Sequence, residues 1–176
     1  MKTLTLTLAL LLSTPAAFAA DAKPADAADP IFKVATADFA KQVMSSNQFE
    51  IRSSEMAESK AENADVKGFA QQMIKDHTKA EADLKAALEK SGTAAPAAAE
   101  PTPKHAAMLK QLEAAEGADF QTLYIDMQAQ AHREAVALFR TYAGSGDDAA
   151  VVAFAKATLP ALEMHMTHVT ALAKAN

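Results

Sequence analysis

From about Ile31 the chain places apolar residues at alternating steps of three and four, the spacing that keeps side chains on one face of a helix. The first run takes Phe39 or Ala40, Val43, Asn47, Glu50, Ser54, Ala57 and Ala61 as its seam. Phe49, Ile51 and Met56 widen it, and no proline or glycine interrupts it. Glu62-Asn-Ala-Asp65 is a polar break in which Asn63 or Asp65 can cap a second helix. That helix has the seam Val66, Ala70, Met73, His77, Ala80, Leu84 and runs to about Lys90, where Gly92 suits a left-handed cap. So short a break makes the two helices an antiparallel hairpin. Alanine and proline alternate over 93–103, a stiff linker. A short amphipathic helix follows over Lys104 to Ala115, with Met108, Leu109 and Leu112 inward and Gly117 closing it. The third long run opens at Asp119 as N-cap, carries Phe120, Tyr124, Ile125, Gln128, His132, Ala135, Val136 and Phe139, and ends at Gly144-Ser-Gly146. Asp147 or Asp148 caps the fourth, whose seam is Val151, Ala155, Thr158, Leu162, His165, Val169, Leu172. Pro160 should bend it by removing one backbone hydrogen bond.

These elements predict an all-α, ferritin-like four-helix bundle: two antiparallel hairpins joined by a long crossover containing a short helix. With 176 residues, half of them apolar, the chain has the size of one domain, which the pattern places at 31–175. Ahead of it, residues 1–19 read as a secretory signal, with Lys2, an apolar run from Leu4 to Leu12 and Ala17-Phe-Ala19 as the cleavage motif. Residues 20–30, rich in alanine, proline and aspartate, read as a disordered leader. The expected location is therefore periplasmic or secreted, after cleavage near Ala19. No stretch is long and apolar enough for a transmembrane helix.

The net charge of −5, one unit more negative once Lys2 is removed, argues against a nucleic-acid partner, because phosphate binding needs a basic face. The absence of cysteine excludes disulfides, thiolate metal sites and cysteine nucleophiles.

What remains as candidate chemistry is one ionisable group on each long seam: Glu50, His77, His132 and His165. At 1.5 Å per residue from the turn near residue 62, Glu50 and His77 lie about 18 and 22 Å along their helices and His132 about 19 Å, so these three share a layer. The same counting puts His165 about one to two turns away. Neutral imidazoles and a carboxylate suit one divalent transition metal (zinc, iron, copper or manganese), with Gln128 and Asp76 orienting the rings. A di-iron centre is disfavoured, since it needs Glu-x-x-His motifs and Ile74 and Leu162 stand three residues before His77 and His165. Met164-His165-Met166-x-His168 and the Met73/His77 pair are a softer set that could serve copper(I). No serine–histidine–acid arrangement or phosphate loop is visible; a non-catalytic metal binder is the first reading, and an oxidase using a bound metal and dioxygen, which needs an open coordination position, stays open beside it. The competing reading is a buried polar cluster, with Glu50 paired to a protonated histidine, inside a structural or interaction module that meets another envelope protein.

Several stretches carry a resemblance: Asn47-Gln-Phe-Glu50-Ile-x-Ser-Ser; Val66-Lys-x-Phe-Ala-x-x-Met-Ile-x-Asp-His77-Thr-x-Ala; Gly117-x-x-Phe120 with Tyr124-Ile125 and His132-x-Glu-Ala-Val-x-Leu-Phe139; and Phe154-Ala155 with Leu159-Pro160-x-Leu-x-x-His165. Together, from about Phe39 to Leu172, they resemble the secreted bacterial ferritin-like proteins catalogued as domain of unknown function 4142. The resemblance implies a secreted four-helix bundle and brings no reaction and no ligand set with it. The four seam residues are proposed from their positions alone.

Overall fold

The breaks in the apolar pattern are helix ends, several of them fixed by caps. The computed structural model describes residues 33–96 and 100–175; the expected signal peptide and leader lie outside them. Five helices follow in order: α1 (Thr36–Lys60), α2 (Ala64–Ser91), α3 (Pro103–Ala114), α4 (Gly117–Ser145) and α5 (Ala149–Ala175). Asn63 caps α2 by accepting from the backbone N–H groups of Asp65 and Val66, and Gly92 ends it at φ 74°, a conformation that costs glycine least. Thr102 caps α3, with Pro103 in the first turn where its missing N–H is not needed. Asp148 accepts from Ala150 and Val151 at 2.9 Å to start α5. Lys60, at the end of α1, donates to the carbonyls of Glu113 (2.8 Å) and Ala115 (3.0 Å), tying the open end of α3 to the first hairpin.

One sequence expectation shifts. α4 starts at Gly117 and not at Asp119, with no side-chain cap, and it continues through Gly144 to Ser145, with Gly146 as its cap. α5 runs from Ala149 to Ala175 with Pro160 inside it.

α1 packs against α2 and α4 against α5; the α2–α5 and α1–α4 faces close the four-helix bundle, and α3 lies across α1 and α4. This is the arrangement of two antiparallel hairpins and a long crossover that the loops imply. The core is divided in two. One apolar cluster, near the α1–α2 turn, includes Phe49, Val66, Phe69, Phe120, Tyr124 and Val169. The other, near the α4–α5 turn, includes Phe39, Leu84, Leu88, Phe139, Tyr142 and Phe154. Phe39 stacks on Tyr142 at 4.0 Å between ring centroids, and the Tyr142 and Thr36 hydroxyls hydrogen-bond to each other and to Asp147, closing that end. Between the clusters lies a buried polar layer made of Asn47, Glu50, Ser53, Ser54, His77, Gln128, His132 and His165. Burying a polar group without a partner costs roughly 1–3 kcal/mol, so such a layer needs an account.

Candidate metal centre

Every long helix contributes to the layer because the seam that packs the core runs through it. Asn47 and Glu50 come from α1, His77 from α2, Gln128 and His132 from α4, and His165 from α5. All three histidines are buried and mutually adjacent. Their ring centroids lie 5.6 Å (His77–His132), 5.6 Å (His77–His165) and 5.4 Å (His132–His165) apart.

His165 thus joins the layer, against the expected offset of one to two turns. Part of the reason is the far end of α4, which continues two residues further than the sequence reading made it and so raises the start of α5 by about 3 Å relative to His132.

The hydrogen bonds of the rings decide what they present. His77 Nδ1 donates to Asn47 Oδ1, His132 Nδ1 to the Gln128 main-chain carbonyl and His165 Nε2 to Asp76 Oδ2, each at 2.9 Å. In each pair the proton sits on the ring nitrogen that meets an oxygen acceptor, so the other nitrogen keeps its lone pair. Those other nitrogens, His77 Nε2, His132 Nε2 and His165 Nδ1, are buried and have no protein hydrogen-bond partner. The three residues offer ligand atoms that all lie within 4.8 Å of one another. Metal–imidazole bonds of about 2.0–2.1 Å in a tetrahedral shell put nitrogens about 3.4 Å apart, so an ion would draw the rings together by at most about 1.4 Å.

The electrostatics agree with lone pairs facing inward. Burial, then repulsion from His132 and His165, holds His77 well below the usual histidine range. Burial lowers His132 to about 4, against the opposing Gln128 carbonyl. Burial also lowers His165, opposed by Asp76. All three rings are neutral at neutral pH, as ligation requires.

Glu50 stands to one side of this convergence. Its Oε1 is 3.6 Å from His132 Nδ1, the nitrogen already committed to Gln128, and that is too long for a hydrogen bond. Burial raises the Glu50 carboxyl to about 8, opposed by the Gln128 side chain, so at neutral pH Glu50 and His132 are both uncharged. The buried ion pair considered from the sequence is therefore not what the layer contains. Glu50 Oε2 has no protein partner.

Gln128 and Asp76, read from the sequence as orienting groups, hold His132 and His165 respectively, the former through its main chain. The Gln128 amide instead donates to Ser53 at 3.0 Å. Asn47 was missed as the partner of His77, although it sits on the α1 seam one turn before Glu50 and could have been read there. Of the softer copper(I) set, Met164 stands 52 % exposed, Met166 packs on one apolar cluster and Met73 lies within the other. His168 packs edge-on against Phe69 at 5.1 Å.

Comparison with known proteins places this geometry in context. Residues 21–172 match the family described as Domain of unknown function (DUF4142). Among solved structures, CopM in the Cu(II)-bound form superposes with a TM-score of 0.69 at 17% identity, over 81% of this chain and 98% of its own. A Streptomyces coelicolor protein described as secreted and as DUF305 superposes with a TM-score of 0.62 at 13% identity, over 78% and 89%. At these identities the likeness is one of fold. No curated protein matches the chain. Among the described residues no helix is long and apolar enough to cross a membrane.

Proposed function

The chain belongs to the DUF4142 family, whose description names no reaction, and on that premise we propose that its bundle core holds one divalent transition-metal ion on His77, His132 and His165. The observation that carries the reading is the set of three buried ring nitrogens without partners, each on a ring whose other nitrogen is fixed by an oxygen acceptor. Neutral imidazoles favour zinc, copper or iron over harder ions, and the stability order of divalent metals puts copper(II) first at a given site. The fold shared with CopM, described as Cu(II)-bound, supports the same choice. Glu50, the fourth residue of the set read from the sequence, lies on the Nδ1 side of His132 and outside the three-histidine group, so its unpartnered Oε2 would join the ligands only by turning round that ring and giving up its proton to solvent. The protein then serves metal homeostasis or stress response in the cell envelope as a non-catalytic binder, exported by a signal peptide over residues 1–19 and, past the leader at 20–30, folded as one domain over 31–175. Manganese and a second ion are disfavoured by the same donor set, which carries one carboxylate at most.

The test is elemental analysis of untagged protein beside a His77→Ala, His132→Ala double variant. About one metal ion per chain, lost in the variant, is expected. No metal above background, with no thermal shift on adding copper, zinc, iron or manganese, would overturn the reading. The polar layer would then be a device that fixes helix register in an interaction module facing another envelope protein.

A further inference from the structure

Protein interiors are packed to about the density of organic crystals, and space left among core side chains costs stability. Beside the histidine layer such space exists. A cavity of about 190 Å³ lies under the N-terminus of α3 and is bordered by residues of all five helices. It is left by Ala80 on α2 and by Ala131 and Ala135 on α4, whose side chains stop at Cβ, and Val43, Phe139 and Leu162 complete the apolar wall. The start of α3 is fastened to α1 over the opening: the Thr102 N–H donates to Ser45 Oγ at 2.8 Å, and His105 Nδ1 lies 2.9 Å from that oxygen. An apolar cavity of this kind, with a mouth, is the ordinary form of a small-molecule site.

The polar groups around it narrow the ligand class. Asn47 and His77 close one side, but none of their side-chain polar atoms is available: Asn47 Oδ1 and His77 Nδ1 are joined to each other, and Asn47 Nδ2 and His77 Nε2 are themselves buried. The hydroxyls of Ser46, Thr102 and Thr158, on side chains only partly buried, border it as well and carry no charge. The charges stand at the mouth, where Lys104 and Glu134, each about half exposed, neutralise each other. A charged ligand would therefore lose its hydration with no counter-charge inside, and one with several polar groups would leave them unpaired. A benzene molecule fills an apolar cavity of about 150 Å³. The space here has room for a substituted ring of about eight heavy atoms by the same measure.

We propose that this cavity binds a compact, uncharged, hydrocarbon-like molecule, a single six-membered ring with one or two small substituents, held by burial of its apolar surface and not by hydrogen bonds. The proposal goes beyond the metal reading and does not rest on it, because every wall residue it uses lies outside the three-histidine group.

The probes are fluorobenzene, 4-fluorotoluene and 4-fluorobenzoate, each titrated into the chelator-treated chain and followed by fluorine NMR. Saturable binding of the first two at one site is expected, with 4-fluorotoluene about fourfold tighter for its extra buried methyl group, and no binding of 4-fluorobenzoate. Filling the space with Ala135→Leu or Leu138→Trp should abolish 4-fluorotoluene binding while metal content stays at the wild-type level, since both side chains line the cavity and neither offers a ligand atom. Ala157→Leu, in the open groove between α2 and α5, should leave binding unchanged. Melting curves confirm folding, and Leu138, the less buried of the two filled positions, carries the test should Ala135→Leu not fold. Absence of saturable 4-fluorotoluene binding, equal affinity for 4-fluorobenzoate, or binding that survives in the folded filled variants would overturn the proposal. None of these outcomes bears on the metal analysis, which is a separate measurement on the same chain.

Discussion

The Glu50→Gln substitution tests the electrostatics of the layer. Burial raises the Glu50 carboxyl to about 8 from the 4.5 of an accessible glutamate. Between those values the unfolded chain has released this proton and the folded chain has not, so the unfolded state binds fewer protons and stability falls as pH rises. The stabilising contribution is complete below about 4.5, where both states are protonated, and is lost progressively until the folded carboxyl ionises near 8. Over the whole interval the loss is about 5 kcal/mol, at 1.36 kcal/mol per pH unit. The useful window is narrower, because the histidines titrate in the unfolded state below about 6.5. From pH 6.5 to 8 the expected loss is about 2 kcal/mol. Glutamine is close to isosteric with the protonated glutamate and cannot ionise, so the variant lacks this term. Urea unfolding followed by circular dichroism, in chelator at half-unit steps from pH 6.5 to 9, gives the difference between the two proteins. Wild type should lose about 2 kcal/mol relative to the variant and then level off above pH 8. Other surface titrations cancel in the difference. Parallel curves would show that Glu50 is ionised throughout, and the account of a neutral layer would fall with it. In metal-loaded protein the slope should disappear if the carboxylate has become a ligand.

Three further outcomes follow from the same geometry. His132, lowered by burial to about 4, contributes stability that is present above about 6.5 and lost as pH falls to 4, about 3 kcal/mol in all, so His132→Leu should flatten the acid limb of the metal-free unfolding profile. Asn47→Leu removes the acceptor that fixes the His77 tautomer and should weaken metal binding roughly 10- to 100-fold by calorimetry while leaving the helical content unchanged. Gly146→Ala would set a methyl 2.7 Å from both the ring and the carbonyl of Tyr142, and the required shift should cost about 1–3 kcal/mol in thermal or urea unfolding.

The helices were legible in the chain because their cause is local. Seams at steps of three and four, Asn63 and Asp148 as caps and Gly92 at a positive φ each act within one or two turns, and the lengths of the breaks between them determine that neighbouring helices are antiparallel. The inward direction of Glu50, His77, His132 and His165 follows from the same periodicity. Their mutual height does not. It depends on where α4 ends, and Gly144, which read as a terminator, lies inside the helix, so that the start of α5 stands about 3 Å higher relative to His132; Gly117, at φ 54°, keeps the left-handed conformation of a terminator although α4 begins there. Tertiary structure alone decided the partners of the rings. Asn47, Gln128 and Asp76 reach them across helix interfaces or through main chain, and those contacts select which nitrogen turns inward. The same packing set Glu50 behind His132 and brought the start of α3 over a cavity. A sequence fixes the face on which a side chain stands, because one helix suffices to define it; distances between side chains on different helices depend on how four helices settle against one another.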